Sequence, residues 1–591
     1  MTEPMNPETS VASLPYHDPV RRSRPWLGLA LAVILWLYFI GGIVFDIQSF
    51  AGFVGMMVLY FAGALTFTVW WLTRRAFTWR ERWVVMGAAV VLGIVISRLS
   101  VQAIKPMIYL VLLGIPCVMM VWGLIAFAVV RQRPAVRLGT FVAGLIVAWS
   151  LFLLVRMDGL RGNFRADMHW RWTPTSEERY LASHTARAPA TLPVGKAVEL
   201  RPGDWPGFRG AERDGIVRGA KISLDWQSSP PKVLWTQRVG PGWSSMTVVD
   251  GHLYTQEQRG EREAVVCRDA GTGSEIWSHE DAVRFDEAMS GAGPRATPTF
   301  SRGRLYAQGT RGMLNCLDAA TGAVIWSRDV AKDSGAAVPM WGFCGSPLVT
   351  QEHVIVYTAG EGSKGLVAYP IEGGAPVWAS DAGKISYSSP QRFTLNGEDQ
   401  VLIFTTEVLC AVDEATGKSR WSLAIPKSVG TPVSLQPCQT GPNTLVLGHG
   451  GGFGAKGIEL ASDHHTVAEK WTTLQMKPAF NDTVFHDGFV YGFDGTVFCC
   501  LEASTGKRRW RAGRYGGGQV VLLADQGVMI VVTEDGQAVL LRCNPEKSEE
   551  LGRITLVDGK TWNHPAVAQN RLYVRSDAEM ACVELGGSLS R

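Results

Sequence analysis

The chain has 591 residues, with 57 Lys and Arg against 53 Asp and Glu for a formal charge of +4. A balance this close to neutral excludes a polycationic nucleic-acid binder and an acidic disordered tail. Hydrophobic residues make up 47% and charged residues only 19%, a share of charge below that of soluble domains, which points to a part of the chain that lives in lipid.

The two halves differ. Residues 1–160 hold 13 Lys and Arg against 6 Asp and Glu, so the remainder is slightly acidic and offers no basic patch for nucleic acid. Uncharged apolar runs at 26–45, 51–73, 107–130 and 138–155 are each near the roughly 20 residues that cross a bilayer core. A fifth, 83–104, contains Arg98, which snorkels or faces a bundle interior. Cations cluster in alternate connections: Arg21, Arg22 and Arg24 before the first run, Arg74, Arg75, Arg80 and Arg82 after the second, and Arg131, Arg133 and Arg137 after the fourth. The intervening loops carry Asp46, and then Arg98 and Lys105. The expectation is a cytoplasmic N-terminal segment (1–25) and a five-span bundle (26–155) in a bacterial inner membrane, with residues from 156 on in the periplasm. Arg21-Arg22 could open a twin-arginine signal, but the run of further spans and the lack of an A-x-A-like site favour a retained anchor. No histidine lies between His17 and His169, which excludes bis-imidazole haem in the bundle.

Residues 156–202 read as a periplasmic tether with a short helix near Ser176–Leu181, and they include Pro174, Pro189 and Pro193. Beyond it the sequence repeats. An acidic residue, a Thr-Gly turn and a Trp recur in the strings ending at Trp277, Trp326, Trp421 and Trp510, with a decayed copy ending at Trp378. Trp235 and Trp471 keep the phase without a clean turn, and Leu551 stands where an eighth Trp is missing. A second string, a small polar residue and often Pro before an alternating apolar run, opens each unit near Ser245, Pro298, Pro347, Pro390, Pro432, Asp482, Gln519 and Pro565. Each unit reads as four short strands. A four-stranded sheet of that length cannot bury both faces alone, so the fold class expected for 203–591 is an all-β eight-bladed propeller, with seven blades as the runner-up. The strand Lys232–Val239 has the docking Trp but no preceding unit, and is expected to complete the last blade.

The D-x-x-T-G-x-x-x-W string resembles the repeat of the pyrroloquinoline quinone (PQQ) propeller superfamily, in which the Trp docks on the neighbouring blade. The segment GDWPGFRGAERDG, Gly203–Gly215, is similar to the entry of many PQQ-like domains. The resemblance covers about residues 203–585. The superfamily holds quinoprotein dehydrogenases and also non-enzymatic scaffolds such as outer-membrane assembly lipoproteins, so it speaks to fold more than to activity. Five spans followed by such a propeller are similar in layout to membrane-bound quinoprotein glucose dehydrogenase.

The connections between each docking Trp and the next opening strand are expected to line one mouth of the channel. They offer Trp243 and Ser244, Arg295, Trp341, Tyr387, Phe480 and Asn481, Tyr515, then Trp562, Asn563 and His564. Such aromatic faces with Arg, Asn and His suit a planar acidic quinone or a sugar ring, and equally suit a capped channel. The resemblance implies PQQ with Ca²⁺ as the possible cofactor pair, and only Asn481, Asp482 and Asn563 supply oxygen donors there. No complete catalytic set or metal site can be assembled.

Adjacent Cys499 and Cys500 are similar to the vicinal disulfide of some quinoprotein alcohol dehydrogenases. Yet Cys267, Cys316 and Cys500 lie six residues before the turn Gly and Cys410 lies seven before, nearly the same place in each third strand, which reads as buried packing. Gly448–Gly457 reads as a hairpin and His464-His465 as a surface turn. Three functions follow: a membrane-anchored binding or scaffold module with a periplasmic protein partner or a small planar or sugar ligand; a PQQ-dependent sugar or alcohol dehydrogenase; and a ligand sensor.

Overall fold

The computed structural model of the chain describes residues 26–44, 50–100, 113–162, 166–184, 197–287, 289–360, 362, 364–426, 433–450 and 452–589. Arg21, Arg22, Arg24, Asp46, Lys105, the start of the 107–130 run, Pro189, Pro193 and Pro432 lie outside them. Two units separate, one ending at Asp158 and taking in Ala166–Trp172, the other formed by Gly159–Arg165 and Thr173–Arg591.

In the first unit five helices fall on the five apolar runs: α1 (Trp26–Val44), α2 (Phe50–Thr73), α3 (Trp79–Leu99), α4 (Ile115–Val129) and α5 (Pro134–Ser150). Helix α3 starts at a capping box, Thr78 with Glu81, which satisfies orphan amides at its N-terminus. Pro134 opens α5, where a missing N–H costs nothing. Trp71 forms edge-on contacts with Trp122 and Phe141 at 5.0 and 5.2 Å at the centre of the packing. Among the described residues, Trp79–Leu99 and Pro134–Leu153 are long and apolar enough to cross a membrane, while the apolar stretches Trp26–Tyr38, Met57–Thr73 and Ile115–Val129 are shorter.

The second unit is an eight-bladed propeller. Each blade is an antiparallel sheet of four strands in sequence order, as in Thr299–Ser301, Arg304–Gln308, Met313–Asp318 and Val324–Asp329 of blade 2. Blades 1 to 7 run from Thr247 to Thr555. In blade 8 the three strands Ala566–Ala568, Arg571–Arg575 and Glu579–Glu584 take their outer strand from Lys232–Arg238, with Cys582 opposite Trp235. The ring therefore closes with the strand expected from sequence, and no blade edge is left open at the seam.

The recurring string has a direct structural meaning. In the turn, Asp318 Oδ1 accepts from the Thr321 N–H and hydroxyl at 2.9 and 2.8 Å, and Gly322 has φ +74°. On that glycine lies Trp277 of the preceding blade, whose Nε1 donates to Ala319 O at 3.2 Å. Trp235, Trp326, Trp378, Trp471 and Trp510 likewise donate to a carbonyl of the next blade. Trp421 departs, giving its N–H to Gln400 Oε1 of its own blade at 2.6 Å. The glycine thus serves two needs at once, a left-handed backbone and room for an indole.

Cys267, Cys316, Cys500 and Cys582 each face the docking Trp across the third and fourth strands. Cys410 does not share that place. Ala411 pairs with Trp421 and Cys410 with Ser422, so strand alternation turns Cys410 to the other face. Cys499 and Cys500 point into different core clusters as free thiols. Gly448–Gly457 lies in the antiparallel pair Thr444–His449 and Gly454–Leu460.

A Cβ on Gly322 would stand 2.5 Å from Trp277, whereas one on Gly397, also at positive φ (+79°), meets nothing within 4 Å. Gly397→Ala should cost about 1 kcal/mol for its backbone conformation, and Gly322→Ala about 1–3 kcal/mol more for the displaced indole. Denaturant unfolding of the two variants checks the difference.

Candidate functional site

One side chain from each of blades 1 to 7, at or just before the start of the inner strand, builds a belt of hydrogen bonds about the axis, which blade 8 joins through backbone carbonyls. The Ser245 N–H donates to Thr297 Oγ1 (3.1 Å), Thr297 N–H to Ser346 Oγ (2.9 Å) and Ser346 N–H to Ser389 Oγ (2.9 Å). The Ser389 N–H donates to Gln436 Oε1 (2.8 Å), with that amide turned so its oxygen faces the donor. Gln436 N–H then donates to Asp482 Oδ1 (2.7 Å) and Asp482 N–H to Gln519 Oε1 (3.3 Å). Gln519 Nε2 reaches Trp562 O of blade 8 (3.2 Å), and Ser245 Oγ closes the circuit on His564 O (2.6 Å). This belt is the physical content of the small polar residue that opens each unit. In the fifth unit the member is Gln436, ahead of Pro437 and the inner strand Cys438–Gln439, while the opening expected at Pro432 lies outside the described residues.

The entry segment crosses the bore. Trp205 exchanges backbone bonds with Val248, Pro206 O accepts from Phe300 N–H, and Gly215 O accepts from Leu522 N–H. Ile216–Val217 then joins blade 7 as a fifth, parallel strand. Arg213, buried, donates to Pro347 O and Ser346 O at 2.8 Å each, and burial pulls its pKa down to about 9. Arg209, also buried, donates to Thr483 O at 2.8 Å and lies 3.5 Å from Asp482. Both arginines hold left-handed φ of +58° and +57°, a conformation their fixed side chains enforce.

Asp482 is thereby committed. Burial would raise its pKa, but Arg209, His564 and the Gln436 N–H outweigh it and hold the carboxyl below its usual range. His564 Nε2 lies 3.0 Å from Asp482 Oδ2. Burial pushes the imidazole below its ordinary pKa against the pull of that carboxylate, which favours the neutral ring.

The mouth residues fall into separate groups. Trp243, Trp562 and Phe480 pack together, with Trp562 ring centroids 4.8 Å from Trp243 and 5.0 Å from Phe480. Trp341 and Tyr387 form a second pair at 4.7 Å. Arg295 is tied to Glu287 at 3.0 Å, to Ser290 Oγ and to Gly293 O, over the face of Phe285. Asn481 and Asn563 donate to Gly518 O and Ser244 O of the following blade, and their Oδ1 atoms are buried without a hydrogen-bond partner. Tyr515 belongs elsewhere: it is buried in the core of blades 6 and 7 with Phe498 and Val520.

Sequence reasoning missed Lys560 and Glu534. The buried Lys560 ammonium lies over Trp562 and Trp243, at 5.0 and 5.5 Å from the ring centroids. Glu534 Oε1 accepts from Trp562 Nε1 at 2.8 Å. Neither residue belongs to a repeated string, so periodicity carried no signal for them. Residues 159–162 of the tether lie on this group, with Lys560 Nζ donating to Leu160 O and Gly162 N–H to Glu534 Oε1.

These residues do not fit PQQ with Ca²⁺. A sandwiched planar ring holds its two aromatic neighbours about 7 Å apart, and the tilted rings of Trp243 and Trp562 have centroids 4.8 Å apart. Asp482, the carboxylate a Ca²⁺ site would need, is engaged by Arg209, His564 and Gln436. Among the described residues no group of three or more His, Cys, Asp or Glu is placed to hold a metal.

A family model described as outer membrane protein assembly factor BamB matches residues 261–474 and 460–551. Similar solved structures include BamB from Moraxella catarrhalis, at 17% identity over 60% of this chain and 97% of that one, with a TM-score of 0.44. Another is a quinohemoprotein alcohol dehydrogenase from Comamonas testosteroni, at 13% identity over 65% and 81%, TM-score 0.46. A europium-containing methanol dehydrogenase matches at 14% identity over 64% and 90%, TM-score 0.46. No curated protein sequence matches. The matched residues lie within the eight-bladed ring, and together they support a PQQ-like propeller.

Two outcomes follow from the axis. Ser346→Ala leaves the Thr297 N–H buried without an acceptor and should cost about 1–3 kcal/mol in unfolding free energy. The unfolded chain protonates His564 near the ordinary imidazole value of about 6.5 while the folded chain resists, so this contribution to stability is full above that pH and lost as pH falls below it. The melting temperature should therefore drop on acidification more steeply for the wild type than for His564→Gln.

Proposed function

We propose that the protein is a membrane-anchored scaffold, whose five helices hold an extracytoplasmic PQQ-like propeller that binds a protein partner at its mouth face. One observation carries the reading: the place where a cofactor would enter is filled by the chain itself, by the packed rings of Trp243 and Trp562, by Arg209 and Arg213 in the bore, and by residues 159–162 above. The match to the assembly-factor family model supports a protein as the partner. Exposed apolar side chains on the blade-joining loops, Met340, Ile385 and Leu474, supply the kind of surface a protein buries.

Membrane anchorage rests on the first unit. Ile34, Leu37, Phe61, Leu65, Val90, Val91, Ile94, Phe127 and Val147 are exposed there, a distribution costly in water and favourable in lipid. Its ionic pair is turned inward instead, Arg137 holding Glu81 through two bonds of 2.8 and 2.9 Å. The arginine pattern of the sequence supports a cytoplasmic N-terminus and a periplasmic propeller in a bacterial inner membrane.

The test uses the full chain in detergent and in native membranes. Titration with PQQ and Ca²⁺ should leave tryptophan emission unchanged, and a photo-crosslinker at Met340 or Ile385 should give a discrete protein adduct that one at exposed Val324 on an outer strand does not. Saturable, Ca²⁺-dependent quenching with no adduct would replace this reading with the oxidoreductase.

A further inference from the structure

We propose that the propeller mouth is a binding site for an extended peptide of the pattern Gly-apolar-Arg-Gly, and that Gly159–Gly162 of this chain is its resident ligand. The inference stands on the mouth geometry and holds whether or not the propeller recruits a protein.

The segment is held as a bound peptide is held, through its backbone. Leu160 N–H donates to Met289 O at 2.6 Å, and Leu160 O accepts from Lys560 Nζ at 3.0 Å. Gly162 N–H donates to Glu534 Oε1 at 2.5 Å, and Arg161 pairs with Asp535 at 2.6 Å. These partners come from three separate loops, after blade 1, within blade 7 and before blade 8. Leu160 is buried. Gly159 admits no side chain, since at φ +142° a Cβ would stand 2.8 Å from Met289 O, and Gly162 is closely fitted, a Cβ there standing 3.3 Å from Glu534 Oε1 and from the Gly517 backbone.

The protein side of the site is built for such a guest. Lys560 and Glu534 are 2% and 5% exposed. A buried ammonium resting on two indole faces still has N–H groups to satisfy, and a peptide carbonyl is the acceptor supplied. Glu534 gives Oε2 to the Gly517 N–H and Oε1 to Trp562 and to the guest. Neither charge serves the axial belt or the Trp docking that hold the blades together. Any ligand from outside that seeks the Trp243 and Trp562 faces must displace residues 159–162 first.

Trypsin digestion of the full chain, with cuts located by mass spectrometry, tests this. The Arg161–Gly162 bond should be protected in the wild type and cut about tenfold faster in Gly159→Val, where the clash expels the segment. Lys560→Met, which keeps the segment and removes one of its bonds, should fall between. A labelled synthetic peptide of residues 157–162 should bind Gly159→Val and not the wild type. Equal cleavage after Arg161 in all three proteins, or no peptide binding to a Gly159→Val protein that retains the wild-type melting transition, would overturn the proposal.

Discussion

The propeller depends on a belt of hydrogen bonds one residue wide. At the axis the inner strands converge, and in blades 1 to 6 the belt residue's N–H is met from the next blade and not from its own. That bond fixes how far one sheet turns relative to the next. A buried donor left unmet costs more than the bond itself returns, so the belt constrains each of its positions to a side chain that accepts at the right reach. At the rim a different lock does the same work: an indole laid on the next blade's turn glycine, bonded to a carbonyl beside it. Between the two the blade faces need only be apolar, which is why Cys, Ala and Gly interchange opposite the docking Trp.

The rim lock was easy to read in the sequence and the axial belt was not, for a physical reason. A left-handed turn that carries an indole favours Gly, so Thr-Gly and Trp recur together in four units. An acceptor for one N–H can be Ser, Thr, Gln or Asp, and its spacing from the Trp drifts with loop length. Ser346 and Ser389 stood out because Pro follows them. Gln436 was passed over for the residue before Pro432, since a Gln does not look like a Ser until both are seen accepting the same bond.

The mouth shows the opposite limit. Trp243, Trp562 and Phe480 were placed there from repeat position alone, and they do converge. That they pack against one another, and that residues 159–162 cover them, depends on contacts between chain segments hundreds of positions apart. Tyr515 occupied the same place in the repeat and packs instead into the core of blades 6 and 7. Arg209 and Arg213 were visible only as part of a family-like segment. Their task, bonding the carbonyls where inner strands begin, is set by the bore they cross.

The outer strand of blade 8 is the first long strand of the domain to leave the ribosome or translocon, and its partner Glu579–Glu584 is nearly the last. Lys232–Arg238 therefore waits, unpaired, while seven blades are made. A ring sealed by so distant a pairing folds slowly, and until it seals, both flanking sheets present open edges to neighbouring chains. Holding the domain's N-terminal end near a fixed point through that interval keeps the waiting strand close to where its partner will emerge. Closure of blade 8 is thus the one step of the ring that depends on both ends of the domain at once.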